Sequence, residues 1–286
     1  MNTLGVIVNL DKPGAAEIRP RLLELAARLG LTLRFDPESA RDLPNAALLD
    51  CEDFPGQVDA VLTMGGDGTL LGAVRRMGDR PVPLLGVNLG KLGFLTGVTE
   101  AELEAALTAL ARGTVESSRR RLLESETRQG KALALNDVVL SWGGSSHIAH
   151  LEVSVNGEAI TTYTCDGLIL ATPTGSTGHS LSAGGPVLHP ETDALVLCPI
   201  CPHAMAVRPV VLPGQSRVRV RLCDHSKPLV LACDGQQLGE IGPGDALEVA
   251  ASPVTVELLH LPGYQYWDVL RQKLHWRGSA VSGLTA

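Results

Sequence analysis

The sequence predicts an α/β domain built on a doubly wound parallel sheet, then a mainly β domain, then a C-terminal helix that returns to pack on the first domain. Three observations carry this. Aliphatic runs alternate with helical patterns over residues 1–113; short strand-like runs separated by Gly, Asn, Asp and Pro replace them over 114–262; and helical spacing returns at Trp267, Leu270 and Leu274 within 263–286. A length of 286 residues accommodates two domains of ordinary size.

The first domain opens with the aliphatic run 4–9, a Pro-Gly turn, and Leu22, Leu23, Leu25, Ala26 and Leu29 at helical spacing before Gly30. Strands are expected at 31–35, 58–63 and 82–87, with a helix over 69–77 between the last two. Thr99 and Glu102 have capping-box spacing, which starts a helix through Leu110 that stops at Gly113. Beyond it, strands are expected at 133–141, 148–155, 159–164, 168–171, 218–222, 228–233 and 254–259. In the run 217–221 the period of two puts Arg217, Arg219 and Arg221 on one strand face, either a solvated outer face or a phosphate or subunit contact.

Apolar residues at 44% and charged residues at 19% describe a globular chain with a sizeable core. Lys and Arg number 24 against 31 Asp and Glu, a formal charge of −7, and this carboxylate surplus argues against binding nucleic acid. Residues 1–8 carry no basic patch ahead of an apolar stretch, and later apolar runs are broken by Pro or His, so secretion and a membrane partner are not expected. Six scattered cysteines do not make a disulfide framework, and a cytoplasmic location is expected. Cys198 and Cys201 lack a second pair with zinc-ligand spacing, and Pro199 and Pro202 break the helix start that a redox dithiol occupies.

The chemistry concentrates in three places. Gly65-Gly66-Asp67-Gly68-Thr69 follows a buried strand and opens a helix, so Gly65, Gly66, Gly68 and Thr69 suit a phosphate donor: backbone can approach closely and the helix presents its positive end. A carboxylate there is anomalous unless Asp67 takes a proton or holds a divalent cation, although a tight turn with an Asx hydrogen bond has the same letters. Both the P-loop Lys-Ser/Thr and a Gly-x-Gly-x-x-Gly after the first strand are missing. The segment 172–186, rich in hydroxyls and glycines, offers hydrogen bonds to a sugar, amide or phosphate. Asn136-Asp137 interrupts an apolar run and reads equally as a grip on ribose hydroxyls or as a β-bulge.

Residues 64–72 (MGGDGTLLG), 86–96 (GVNLGKLGFLT), 136–140 (NDVVL), 166–190, 198–213, 234–236 (DGQ) and 266–276 (YWDVLRQKLHW) together resemble the bacterial NAD kinase family, in the family's order. The glycine-rich loop alone is shared with lipid kinases. The resemblance implies an N-terminal α/β and a C-terminal β domain, self-association as a homodimer or homotetramer, and transfer of the terminal phosphoryl group of ATP, or of polyphosphate in some members, to the 2′-hydroxyl of the adenosine ribose of NAD. Its partners are thus small-molecule nucleotides. It implies that Asp67 is the catalytic base or metal organiser, with Gly68 beside the dinucleotide and Phe94 near its adenine. Asn136, Asp137, Asp166, Thr177, Gly178, His179, Ser180, Leu181, Ser182 and Gln236 would hold NAD, and His147 falls where some relatives place a contact.

Such a reaction calls for Mg²⁺ or Mn²⁺ on the donor phosphates, and no dedicated metal cage is visible. The chain departs from the family in having Asn136-Asp137 where many members have Asn-Glu, and Gly178-His179 where they have Ala-Tyr. Thr164 occupies a position that varies between large basic and small residues. A lipid kinase would need a membrane-facing amphipathic or basic segment, which is lacking, and a noncatalytic NAD(H) sensor would not need Asp67.

Overall fold

The computed structural model describes residues 1–128, 130–142, 148–223 and 227–276. It divides into two compact units, Met1–Ser118 with Glu257–Ala286, and Arg119–Val256. Among the described residues no helix is long and apolar enough to cross a membrane.

In the first unit, β1 (Thr3–Val8) is aliphatic and buried almost throughout, as a strand covered on both faces must be. The helix α1 (Ala15–Leu29) buries Ile18, Leu22, Leu25 and Ala26, whereas Leu23 is exposed and Pro20 sits on the outer face. It ends at Gly30, whose left-handed φ of 70° suits a residue without Cβ. There follow β2 (Thr32–Phe35), β3 (Ala60–Gly65), α2 (Asp67–Met77), β4 (Leu84–Asn88), the short β5 (Val98–Thr99) and α3 (Leu103–Arg112). The capping box of Thr99 and Glu102 is present: the Thr99 N–H donates to Glu102 Oε2 at 2.9 Å, ahead of a short 3₁₀ turn that leads into α3.

In the second unit, β6 (Glu116–Thr127), whose first three residues still belong to the first unit, β7 (Gly130–Ala134), β8 (Asp137–Ser141), β9 (Ala149–Val155), β10 (Glu158–Cys165) and β11 (Gly167–Ala171) precede the single turn α4 (His179–Ser182). Then come β12 (Ala194–Ile200), β13 (Val210–Pro213), β14 (Val218–Leu222), β15 (Leu229–Cys233), β16 (Gln236–Ile241) and β17 (Ala246–His260). One sheet is antiparallel in the order β13-β12-β11-β8-β15-β16, and β10-β9-β14-β17 pair antiparallel in another. Val138, Leu140, Leu168, Leu170, Leu195 and Leu231 of the first meet Leu151, Val153, Val218, Val220, Leu247 and Val249 of the second in one core. The opposite face of the six-stranded sheet carries Val139, Ile169, Ala171 and Val196, covered by Ala183 and Leu188. The hydroxyl-rich segment therefore folds back over β11, which explains why that strand is apolar on both faces.

Val218 and Val220 point inward, and the arginines between and beside them form an ion-paired outer face. Arg217 and Arg219 meet Glu248, and Arg221 makes a two-pronged pair with Glu152 at 2.8 Å for both bonds. All six cysteines are free thiols; Cys198 is buried in β12 and Cys201 exposed beyond it. Pro199 pairs only with Leu168, past the point where β13 ends opposite Leu197, so its missing N–H costs no ladder bond.

The chain re-enters the first unit at the end of β17, where Leu258 and Leu259 pair parallel with Leu84 and Leu85. The parallel order there is β17-β4-β3-β1-β2. Last comes α5 (Tyr266–Lys273), anchored by buried Val269 and Leu270.

Candidate active site

The strand order of the first unit reverses between β1 and β3: the chain leaves β1 toward β2 on one side, then resumes at β3 on the other. Crevices at the carboxyl ends of such strands bind ligands. Gly65 to Thr69 lies there, and α2 begins at Asp67, two residues before the hydrophobic spacing indicates. A cleft of about 260 Å³ opens beside it, lined by Asn9, Asp11, Arg41, Gly68, Thr69 and Gly72 among others. None of Gly65, Gly66 and Gly68 has positive φ, and Gly66 is simply extended. Their value is space: a Cβ on Gly65 would collide with Thr69 Oγ1, a buried oxygen without a hydrogen-bond partner among the described residues. Arg76 at the cleft is neutralised by Asp36 at 2.6 Å and Glu52 at 2.8 Å.

The carboxylate of Asp67 accepts four hydrogen bonds from one loop. Oδ1 takes the N–H groups of Leu95 and Thr96 at 3.1 Å each and the Thr96 hydroxyl at 3.0 Å, and Oδ2 takes the Phe94 N–H at 2.8 Å. Asn88 at the end of β4 donates to Thr96 Oγ1 at 2.9 Å, extending the chain of bonds back into the sheet. Gly86 and Gly93 make this possible, since a Cβ on the first would strike Thr96 and on the second the Asp67 carboxylate itself. Lys273 of α5 donates to the Leu92 carbonyl and lies 5.3 Å from the centroid of the half-buried Phe94 ring. The structure thus brings Asp67 and Phe94 together through backbone.

In the second unit, Asn136 lies between β7 and β8 and Asp137 begins β8. Asp234 and Gly235, at φ of 47° and 76°, form the two-residue hairpin joining β15 to β16, where paired positive φ values match the twist of the strands. From that turn the Asp234 carboxylate accepts the N–H groups of Leu135 at 2.8 Å, Asn136 at 2.7 Å and Asp137 at 3.2 Å. Thr172 adds its hydroxyl to the Leu135 carbonyl at 2.6 Å and its N–H to the Asn136 carbonyl at 2.9 Å, and Gly175 packs too closely on the Asn136 backbone to carry a Cβ. Asn136 is therefore held by its main chain, and its Oδ1 is buried without a hydrogen-bond partner among the described residues. Burial, and then the charge of Asp234, push the Asp137 carboxyl up to about 7.

The stretch from Thr177 to Ser182 ends one 3₁₀ turn and forms the single helical turn α4. His179 and Ser182 are exposed, Thr177, Gly178 and Leu181 half-buried, and Ser180 fully buried beneath Gly185. Ser176 Oγ accepts the Leu188 N–H at 2.9 Å and donates to the Pro173 carbonyl, stitching the segment to itself. Asp166, between β10 and β11, is 3.8 Å from His203, and Gln236 is exposed at the first position of β16. His147 lies outside the described residues. Sequence reasoning missed Asn88, Thr96, Asp234 and Lys273. Only Asp234 carried a local signal, the Asp-Gly hairpin dipeptide.

The chain matches the family models described as the ATP-NAD kinase N-terminal domain, over residues 4–115, and the ATP-NAD kinase C-terminal domain, over 135–261. It is 38% identical over 281 residues to an NAD kinase of Geotalea daltonii, covering 96% of this chain and 99% of that protein. With an NAD kinase of Gemmatimonas aurantiaca it shares 41% over 281 residues and 96% of each chain. Among solved structures, yeast NADH kinase complexed with NADH aligns over 100% of this chain and 90% of that one at a TM-score of 0.87 and 26% identity. An NAD kinase from Archaeoglobus fulgidus in complex with ATP shares the fold at a TM-score of 0.78 and 23% identity, over 96% and 100% of the two chains.

Proposed function

The chain belongs to the NAD kinase family, which phosphorylates NAD to NADP, and from that membership we propose that Asp67 is the residue at which the 2′-hydroxyl of the adenosine ribose of NAD is made to react. The observation that supports it is the uneven use of its carboxylate: Oδ1 takes three donors and Oδ2 only one. A carboxylate offers about four lone-pair sites, two on each oxygen. Oδ2 is thus the atom with capacity left, either to accept the hydroxyl proton as the oxygen bonds to the terminal phosphorus and the bridging P–O bond breaks to release ADP or the shortened polyphosphate, or to orient a cation.

ATP, or polyphosphate in its place, sits in the cleft beside Gly65, Gly66, Gly68 and Thr69, where the 11-residue helix α2 presents its positive end to phosphate oxygens. NAD is held by Asn136, Asp137, Asp166, the turn 177–182 and Gln236, with Phe94 against its adenine and Gly68 beside it. Asn136 supports this most directly, because a buried amide oxygen without a protein partner is stabilised by a ligand donor. Residues 1–113 make the donor-binding domain, 114–262 the NAD-binding domain, and 263–286 the segment that returns to the first.

A divalent cation, Mg²⁺ or Mn²⁺, fits as a phosphate-borne ion. Among the described residues no three His, Cys, Asp or Glu side chains cluster as a cage, while one carboxylate oxygen beside a triphosphate is the donor set that Mg²⁺ accepts. When bound it neutralises charge on the transferring phosphoryl group. Asp67 Oδ2 is the atom that would face it. The reading extends to a cytoplasmic enzyme that works as a homodimer or homotetramer.

Incubating the protein with NAD and either ATP or polyphosphate, and reading NADP through an NADP-specific dehydrogenase, tests it. NADP is expected with at least one donor, and none with either overturns the assignment.

A further inference from the structure

We propose that Lys273, on the C-terminal helix, is a positioning residue of the kinase site, acting through the loop 92–96 on Phe94 and Asp67. The inference rests on the reading of those two residues given above.

Loop 92–96 is gripped from two sides. On one, Asp67 at the first turn of α2 accepts three consecutive backbone N–H groups and the Thr96 hydroxyl. On the other, the Lys273 ammonium donates to the Leu92 carbonyl and lies 5.3 Å from the Phe94 ring centroid, inside the range of a cation–π contact. Leu95 and Thr96 are buried and Thr96 is bonded to Asn88, but at the start of the loop side chains do little else to hold it: Gly93 has none and Phe94 is only half-buried. Lys273 stands at the last residue of α5, where a cation also complements the helix's negative end. The helix itself is fixed by Val269 and Leu270, so the ammonium is delivered from a rigid element.

The consequence is geometric. If Lys273 is removed, Leu92 loses a donor and the Phe94 ring its cation, and the ring position changes. Because Phe94 N–H is the donor to Asp67 Oδ2, the displacement reaches the oxygen assigned to the reaction. The cleft on the far side of α2, at β1 and Arg41, is lined by none of these loop residues. Loss of Lys273 should therefore be felt by NAD and not by ATP.

The test uses the full chain carrying Lys273→Met, which keeps the aliphatic stem and removes the charge and donor, with Lys273→Arg as the conservative rescue. The Met variant is expected to raise KM for NAD about three- to thirtyfold, the range of a lost cation–π contact. KM for ATP should stay within twofold and the melting temperature within about 2 °C. Arg should bring KM for NAD back to within twofold of the native value. A purely structural lysine would instead lower the melting temperature and the fraction of folded protein, with KM for NAD unmoved.

A folded Met variant with native KM for NAD overturns the proposal, as does one in which both KM values rise together. Should the Met variant fail to fold, Lys273→Gln keeps an N–H donor, on a stem one atom shorter, and gives up the charge; a native KM for NAD there is equally fatal. Failure of both to fold makes Lys273 a folding residue and also overturns it. A fully active Asp67→Asn protein sinks the underlying site reading instead, whatever the Lys273 variants do.

Discussion

The carboxylate of Asp234 accepts the backbone N–H of Asn136 at 2.7 Å, so a hairpin turn between two strands fixes the main chain of a residue almost a hundred positions earlier. That arrangement has an electrostatic cost. Asp137, buried in the next position, feels both the loss of water and the charge of Asp234, and its carboxyl is pushed up to about 7.

Stability should fall as pH rises because of this pair. The folded chain keeps a proton on Asp137 that the unfolded chain, with a carboxyl near 4, releases earlier. The contribution of Asp137 is intact below about pH 4, is lost progressively across pH 4 to 7, and is fully lost above. Asp137→Asn carries no such proton. Denaturant unfolding at pH 5 and pH 8 should show the variant gaining on the native protein at pH 8 by an amount on the order of a few kcal/mol at most. Equal differences at the two pH values would falsify the linkage.

Replacing Asp67 by Asn keeps size and hydrogen-bond reach but turns one oxygen into a donor. With Oδ1 retained for its three partners, the new amide nitrogen faces the Phe94 N–H, and one charged hydrogen bond is lost. NADP formation should drop by at least about a hundredfold, as expected when a general base is removed. NAD should still bind, because the lost bond lies within the protein and not to the nucleotide. Steady-state kinetics beside equilibrium titration of NAD separate the two, and substantial turnover in the variant removes Asp67 from the chemistry. Partial rescue by Mn²⁺ would favour the cation-organising role over the base.

Gly93→Ala tests the loop from within. A Cβ there overlaps the Asp67 carboxylate and Thr96 Oγ1, so either the loop or Asp67 must move. Overpacking of this kind costs typically about 1 to 3 kcal/mol. The expected result is a lower melting temperature together with loss of NADP formation. A variant with native stability and kinetics would show that the Asp67 clamp is not needed.

Most of the first unit was legible, because its strands are continuous aliphatic runs and its helices carry stripes and caps: Leu22 to Leu29 before Gly30, and Thr99 with Glu102, read directly. What escaped has a physical reason in each case. Residues of β6 (ESSRRRLLESET) have the charge and composition of an exposed helix, yet Arg120 and Ser125 are buried in a strand. β12 contains Pro199, and β17 starts eight residues before the Val-rich segment that announces it. At the candidate site, the glycine loop, Asn136 and the hydroxyl-rich segment stood out by residue type. Asn88, Thr96 and Lys273 did not: Thr96 and Lys273 matter through contacts with residues far away in sequence, and Asn88 only through Thr96.

Asn136→Ala and Asp166→Ala should chiefly weaken NAD binding. Asn136 is held in place by main-chain bonds to Asp234 and Thr172, so removing its amide leaves the scaffold intact. Each lost contact is worth about 0.5 to 1.5 kcal/mol, up to about 3 where a charge takes part, which is a several-fold to roughly hundredfold rise in Kd. Isothermal titration with NAD reads it, and unchanged affinity in either variant removes that residue from the site.

His179→Tyr should leave stability untouched and alter the response to NAD. His179 is exposed at the start of α4, in a segment whose buried work is done by Ser176, Ser180 and Leu188. A larger ring there has no core to overpack, so the cost of about 1 to 3 kcal/mol that a buried site would exact does not arise. What changes is the surface offered to a ligand: the phenol adds stacking area and a hydroxyl next to Gly178, whose missing side chain leaves the approach open. The expected outcome is a melting temperature within about 1 °C of the native protein and a shift of at least twofold in KM for NAD. Both are to be measured on one preparation so that a change in active fraction cannot imitate a change in binding. A clear drop in melting temperature with NAD kinetics unchanged would mean that the imidazole holds the turn together, and His179 would then leave the ligand wall.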